Sequence, residues 1–504
     1  MINNLKNILK HSVVYGISNV AQKASGIILL PLFTHYLSVE EYGRYGLLFI
    51  TTVILSQSLV LGQSSAVIRY NNSGDYGQKK KSIFFTLTLL VLAVAVLFVI
   101  ISEVYIDQIS GWLGSPEDFK LPVKVCIYIV AIVAVNNVLL GKIRADEKSL
   151  LYTIAGLVKI FIQIGFTIYF LVALDMGLVG VLLGQLTGEI STILVVTPSL
   201  LKEIEFKFEK SIIKDSLNFG LPLVFSAVAI NLLNGSDRYI IKFLIGERVL
   251  GLYELGYRVA GIINMIMIIP FNLSLLPIAY KVYQTAGDKD YYKKLKTYLA
   301  FLLVWAGLAL SLFSKEIVEI FALNPSYYSA YIVVPYIILA YILYGMSTIS
   351  SLGMYLSGKN FYMALITMFC AGINIGLNFW LIPQYGIMAA AVSTVIAFFI
   401  QDMLSIIASN KYYRIKYEYF KLIKIFAAGI ALYIITVNLL PGSLFIDISV
   451  KLFVSILFPL VCLLIGCFEK KELAIIKKLG LKWRNPKEWL SNFRKEMKNF
   501  NRKE

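Results

Sequence analysis

Lys23 lies about twelve residues into an apolar run that begins at His11, close to the depth of a bilayer midplane. A cation there costs roughly 2.5–3.5 kcal/mol or more unless it faces a wet or paired site. Gln22 precedes it, and further charges sit inside later apolar runs. Arg258 has Glu254 four residues earlier on the same helix face. Asp237 and Arg238 are adjacent near the end of the seventh run, Lys159 and Glu189 fall in the fifth and sixth, and Asp402 stands in the twelfth without an evident partner. Two chemistries are open to such residues. Facing a wet cleft, the cations could bind an anionic group and the carboxylates could carry a coupling ion; paired with one another, they would be structural. Asp237-Arg238 reads either as a gate or as an interfacial pair capping its helix. For Lys159 and Glu189 a buried structural pair is the expectation, with proton or ion coupling as the alternative. Asp402 is either a coupling carboxylate or a residue close to the cytoplasmic interface.

These side chains need helices in lipid to position them. The 504 residues are 58% hydrophobic and 15% charged, with a mean hydropathy of +0.75, more apolar surface than a soluble core of this length buries. Lipid requires each span to satisfy its own backbone hydrogen bonds, and continuous runs such as 87–101 exclude the alternating strands of an outer-membrane barrel. Windows of about twenty residues give fourteen spans: 12–35, 43–67, 82–105, 121–141, 150–173, 177–200, 216–240, 250–280, 296–314, 331–357, 361–382, 386–409, 420–440 and 446–468. The eighth is overlong and holds Pro270 and Pro277, which predicts a kink. The first run is too long for a signal peptide and carries Lys23 in its middle, so it is expected to be retained as a helix.

With a cytoplasmic N-terminus, 36 of the 47 Lys and Arg fall in cytoplasmic segments, the positive-inside pattern. The net charge of +17 is therefore a membrane-surface feature and not a nucleic-acid footprint. The tail, 470–504, carries Trp483, Trp489, Phe493 and Phe500 among its cations and is expected to lie on the cytoplasmic leaflet.

The chain also opens twice in the same way. Ser12-Val13-Val14-Tyr15-Gly16 is echoed by Ser216-Leu217-Asn218-Phe219-Gly220, and Glu41-Tyr42-Gly43-Arg44-Tyr45 by Val249-Leu250-Gly251-Leu252-Tyr253, at offsets of 204 and 208. A third echo, Leu171–Gly177 against Trp380–Gly386, is offset by 209. Six spans per copy make the copies parallel, with a cleft between them and alternating access as the natural motion. The expected fold is thus all-α integral membrane, about fourteen transmembrane helices in two parallel six-helix lobes plus two C-terminal helices. The divisions are 1–11 (cytoplasmic N-terminus), 12–210 (N-lobe), 211–410 (C-lobe), 411–469 (helices 13 and 14) and 470–504 (tail).

Several functions are poorly supported by these residues. Cys126, Cys370, Cys462 and Cys467 lie within apolar spans without metal-ligand spacing and read as small buried hydrophobes. There is no Gly-rich phosphate loop, no Ser/His/Asp arrangement and no metal-ligand cluster, so neither an enzyme nor a cofactor is expected. A membrane glycan polymerase would need a large outer loop, and the longest outer stretch, about 106–120, offers only Asp107, Glu117 and Asp118.

The basic start, the helix opening Tyr15-Gly16 and carrying Lys23, the turn Leu37-Ser38-Val39-Glu40-Glu41-Tyr42-Gly43, the second-copy turn ending Gly251-Leu252-Tyr253, and Leu356-Ser357-Gly358-Lys359-Asn360 together resemble the bacterial oligosaccharide flippases, the Wzx-type polysaccharide transporters. These belong to the superfamily that also holds multidrug extruders and the lipid II flippase. The resemblance covers about residues 5–470 and rests on the pattern of spans, turns and repeat.

It implies transport of a polyprenyl-diphosphate-linked oligosaccharide from the cytoplasmic to the outer leaflet of the inner membrane, for capsule or O-antigen. Membrane lipids are implied partners, glycan polymerase and assembly proteins are candidate ones, and a monomer is expected. Lys23 and Arg258 become the first candidates for binding the diphosphate, with Arg238 and Gln22 beside them. The rival within the same fold is a drug/cation antiporter, which should favour carboxylates in its cleft.

Overall fold

The computed structural model describes residues 26–469, apart from 115, 286, 440 and 441, and is helical with no strand among them. Twelve helices are each long and apolar enough to cross a membrane, and a thirteenth span is a bent pair. Of the first predicted span only α1, Gly26–Tyr36, is described. The bent pair forms α2, with limbs Val39–Leu59 and Gln63–Asn72. There follow α3 (Lys80–Val104), α4 (Phe119–Ala145), α5 (Ser149–Ala173), α6 (Gly177–Leu200), α7 (Lys210–Leu244), α8 (Glu247–Val282), α9 (Asp288–Leu312), α10 (Pro325–Leu356), α11 (Asn360–Tyr385), α12 (Ile387–Tyr412), α13 (Tyr419–Leu439) and α14 (Leu444–Leu464). The chain is a multi-pass membrane protein.

Helix α2 begins with a capping box. Ser38 Oγ accepts from Glu41 N (3.1 Å) while Glu41 Oε2 accepts from Ser38 N (2.9 Å), satisfying two backbone donors that the first turn leaves open. Tyr327 Oη donates to the Leu37 and Ser38 carbonyls, and Thr34 Oγ1 to the Phe321 carbonyl, tying this turn to the second half of the chain. Ser38→Ala is expected to cost about 1 kcal/mol of stability, read as a lowered melting temperature of the detergent-purified protein.

The repeat is visible where α2 crosses α8. A Cβ on Gly43 would collide with the Glu247 carbonyl oxygen, and one on Gly251 with the Val39 carbonyl oxygen. Adding 208 turns Gly43 into Gly251 and subtracting 208 turns Glu247 into Val39, so the crossing has the internal two-fold relation that the sequence offset requires. Only glycine lets the backbones approach this closely. Arg44 Nε reaches Glu247 Oε2 at 2.6 Å and Thr51 Oγ1 meets Tyr239 Oη at 2.6 Å nearby.

Both crossing helices are interrupted at matching depth. The limbs of α2 meet at 44° around Gly62, whose φ of +73° suits glycine, and Gln63 Nε2 donates to the freed Leu61 carbonyl (2.9 Å). In α8 a π-turn spans Asn264–Ile268 directly before Pro270, which has no N–H to continue the ladder. The predicted kink is therefore a local change of helix type.

Helices α13 and α14 pack on α9. Trp305 Nε1 donates to the Ser455 carbonyl (2.7 Å), and Lys451 of α14, 5% exposed, bonds Glu316 at 2.5 Å. All four cysteines are buried and free.

Candidate functional site

A cavity of about 720 Å³ lies between α2, α5 and α6 on one side and α7, α8 and α10 on the other. It gathers Lys159, Glu189, Arg238, Glu254 and Arg258, along with the amides Gln163, Gln185, Asn231, Asn234 and Asn264. Glu254 and Arg258 share a face of α8 through their four-residue spacing, and Arg258 Nε donates to Glu254 Oε1 at 2.9 Å. The pairing read from sequence thus forms, and it forms inside the cavity.

The second oxygen of Glu254 is taken from another helix. Arg238 of α7 donates from Nε to Glu254 Oε2 at 3.0 Å, and from Nη1 to Asp237 Oδ1 (2.9 Å) and the Asn234 carbonyl (2.8 Å). Tyr253 Oη closes the network on Asp237 Oδ2 at 2.5 Å. Asp237 is 1% and Arg238 6% exposed. The reading of this pair as interfacial is corrected: α7 runs on to Leu244, which leaves both residues in the interior.

Aromatic faces complete the cation sites. The Arg258 guanidinium lies 4.8 Å from the Tyr45 ring centroid and 5.3 Å from that of Phe49, and Arg238 lies 4.1 Å from Tyr257. Such faces partly replace water around a guanidinium. One atom is left over: Arg258 Nη2 is buried and has no hydrogen-bond partner among the described residues. A charged donor left unmade is costly, and an oxyanion entering the cavity would satisfy it.

Across the cavity, Lys159 Nζ contacts Glu189 Oε1 at 2.5 Å, and Asn136 Nδ2 donates to Glu189 Oε2 at 2.8 Å. This is the pair expected within the first half, with Lys159 23% exposed and Glu189 6%. Among the described residues, three cations and two carboxylates line the cavity, and Asp237, paired with Arg238 behind the lining, supplies a third carboxylate. Lys23 and Gln22 lie outside the described residues; Gly26, three residues beyond Lys23, lines the cavity beside Arg258.

Asp402 is not in the cavity lining, and its lack of a partner is corrected. Lys296 Nζ lies 3.2 Å from both of its carboxylate oxygens, and Ser350 Oγ donates to Oδ1 at 2.5 Å. The sequence reading put Lys296 at the cytoplasmic edge of the ninth span, 296–314, and counted it among the cytoplasmic cations. Helix α9 starts eight residues before it, which draws Lys296 inward to 1% exposure beneath the Tyr417 ring, 4.6 Å away. The aromatic frame was likewise missed, although Tyr253, Glu254, Tyr257 and Arg258 form a stripe at three- and four-residue spacing that marks one helix face.

Comparison with known proteins adds kinship. Residues 8–283, more than half of the chain, match the family described as polysaccharide biosynthesis protein. A protein of the Lsg locus of Haemophilus influenzae is 27% identical over 289 residues, which span 54% of this chain and 66% of that protein, just under two thirds of its length. Among solved structures, the lipid II flippase MurJ in an inward closed conformation superposes with a TM-score of 0.71 at 15% identity, over 89% of this chain and 98% of MurJ. An inward-facing multidrug resistance MATE family transporter of the MOP superfamily gives 0.62 at 18% identity, over 78% and 94%. At these identities the structures establish a shared fold.

Proposed function

Because the chain belongs to the family of polysaccharide biosynthesis proteins, we propose that it is a flippase carrying a polyprenyl-diphosphate-linked oligosaccharide from the cytoplasmic to the outer leaflet of the inner membrane, for a surface polysaccharide such as capsule or O-antigen. The observation that carries this reading is Arg258, a guanidinium framed by aromatic rings in a large interior cavity, with one buried donor unpaired among the described residues. A diphosphate oxygen suits that donor in charge and geometry. The amides of α5, α6 and α7 would meet sugar hydroxyls, while the polyprenyl tail stays in lipid.

Alternating access follows from two lobes, 12–210 and 211–410, parting at one end of α2 and closing at the other. The distribution of Lys and Arg supports a cytoplasmic position for both termini. Substrate and bilayer lipids are the partners, with a glycan polymerase or assembly protein taking the product, and one chain contains the whole cleft.

The test is transfer of a lipid-diphosphate oligosaccharide across proteoliposomes. Arg258→Gln is expected to reduce the rate at least about tenfold with normal expression, since a desolvated charge pair to the headgroup is lost. Lys23→Ala is expected to act in the same direction. Undiminished transfer in both variants would remove the headgroup site. A wild type that transfers none of several such glycans, yet exchanges cationic drugs for protons, would establish the antiporter instead.

A further inference from the structure

Glu254 occupies the place an oxyanion ligand would take. It is 3% exposed, and its two oxygens accept from two different guanidiniums, Arg258 at 2.9 Å and Arg238 at 3.0 Å. Phosphoryl oxygens compete for the same donors. The two arginines are not equally free. Arg238 is also held by Asp237 and the Asn234 carbonyl, whereas among the described residues Arg258 is hydrogen-bonded to Glu254 alone and its Nη2 has no hydrogen-bond partner. An incoming anion would therefore take Arg258 and leave Glu254 with Arg238.

The position of Glu254 is set by the other half of the molecule. A Cβ on Gly46 of α2 would lie 2.7 Å from Glu254 Cγ and 2.9 Å from Cδ, so the Glu254 side chain is packed closely against α2 at the α2–α8 crossing. Approach of the two halves at this crossing holds the internal anion in place.

Resting on the flippase reading, we infer that Glu254 is a built-in competitor for the anionic headgroup: it weakens binding at Arg258 and retakes the guanidinium as the substrate leaves. A residue that merely held the arginines in place would behave in the opposite sense, because its loss would loosen the site. The sign of the affinity change separates the two.

The experiment measures binding of farnesyl diphosphate, with farnesol as the phosphate-free control, to the detergent-purified full chain by calorimetry. Lipid-diphosphate oligosaccharide transfer is measured in parallel. Glu254→Gln keeps the shape and removes the charge; it is expected to bind farnesyl diphosphate about tenfold more tightly and to transfer substrate more slowly than wild type. Glu254→Asp keeps the charge with a shorter reach and covers the case in which the first variant does not fold; it is expected to shift affinity in the same direction by less. Weaker or unchanged binding in the folded variant overturns the competitor and leaves the headgroup site standing, provided that wild type binds the diphosphate and Arg258→Gln does not. Equal binding of farnesol and farnesyl diphosphate by wild type overturns the flippase reading itself, and the competitor with it.

Discussion

Lys296→Met is expected to destabilise the protein by about 3–5 kcal/mol, the cost of leaving a buried charge without its partner. Asp402 would retain the Ser350 hydroxyl but lose the only cation within hydrogen-bonding distance among the described residues, at a site where it is 3% exposed. Methionine fills the same length without a charge, so the loss isolates electrostatics from packing. The double variant Lys296→Met/Asp402→Asn should recover most of the loss, since removing both charges also removes the desolvation that burdened them. The measurement is the melting temperature of the detergent-purified protein, followed as monodisperse protein remaining after heating. A single variant that melts with the wild type would mean that Asp402 has found water or another partner.

Gly251→Val is expected to block closure where α2 crosses α8. The added Cβ would fall on the Val39 carbonyl oxygen and within 2.9 Å of its Cγ1. Backbone cannot rotate aside as a side-chain tip can, so the two halves must part. Overpacking of about 3 kcal/mol would reduce the closed population roughly a hundredfold. Arg44 and Glu247, bonded across this end at 2.6 Å, give the readout once both are changed to cysteine. A short bifunctional maleimide should link them readily in the parent and slowly in the valine variant, with transfer falling in step. The native cysteines are buried. Equal linkage in both proteins would show that the crossing tolerates the side chain, and that the halves meet elsewhere.

How far the sequence foretold this is clearest residue by residue. Apolar runs located the spans because lipid imposes length and hydropathy directly. The offset of 208 marked Gly43 and Gly251 as equivalent, and the structure gives them equivalent contacts, with Glu247 and Val39, that the sequence did not specify. The contact of Glu254 with Arg258 was legible because helix spacing is local. The bridge from Glu254 to Arg238 was not, because it joins α7 to α8 and depends on how those helices lie side by side. Arg238 itself was placed too near the surface by a hydropathy window about twenty residues wide, laid over a helix of 35 residues. Lys296 was lost for a related reason: windows stop at the first cluster of charges, here 289–296, although the helix continues through them.

The break in α2 has a mechanical meaning. The limb Gln63–Asn72 contains 10 residues, about 15 Å of helix at 1.5 Å per residue, and it leaves the main limb at 44°. Straightening that bend would swing the far tip through about 11 Å, by the geometry of a rigid lever of that length. The residues beside Arg258, Tyr45 and Phe49, lie on the main limb beyond the hinge and would hardly move. A hinge set between the cation site and the end of the span works as a lever, turning a modest torsion at Gly62 into a displacement of that size at the end of the span while the contacts around Arg258 stay in register.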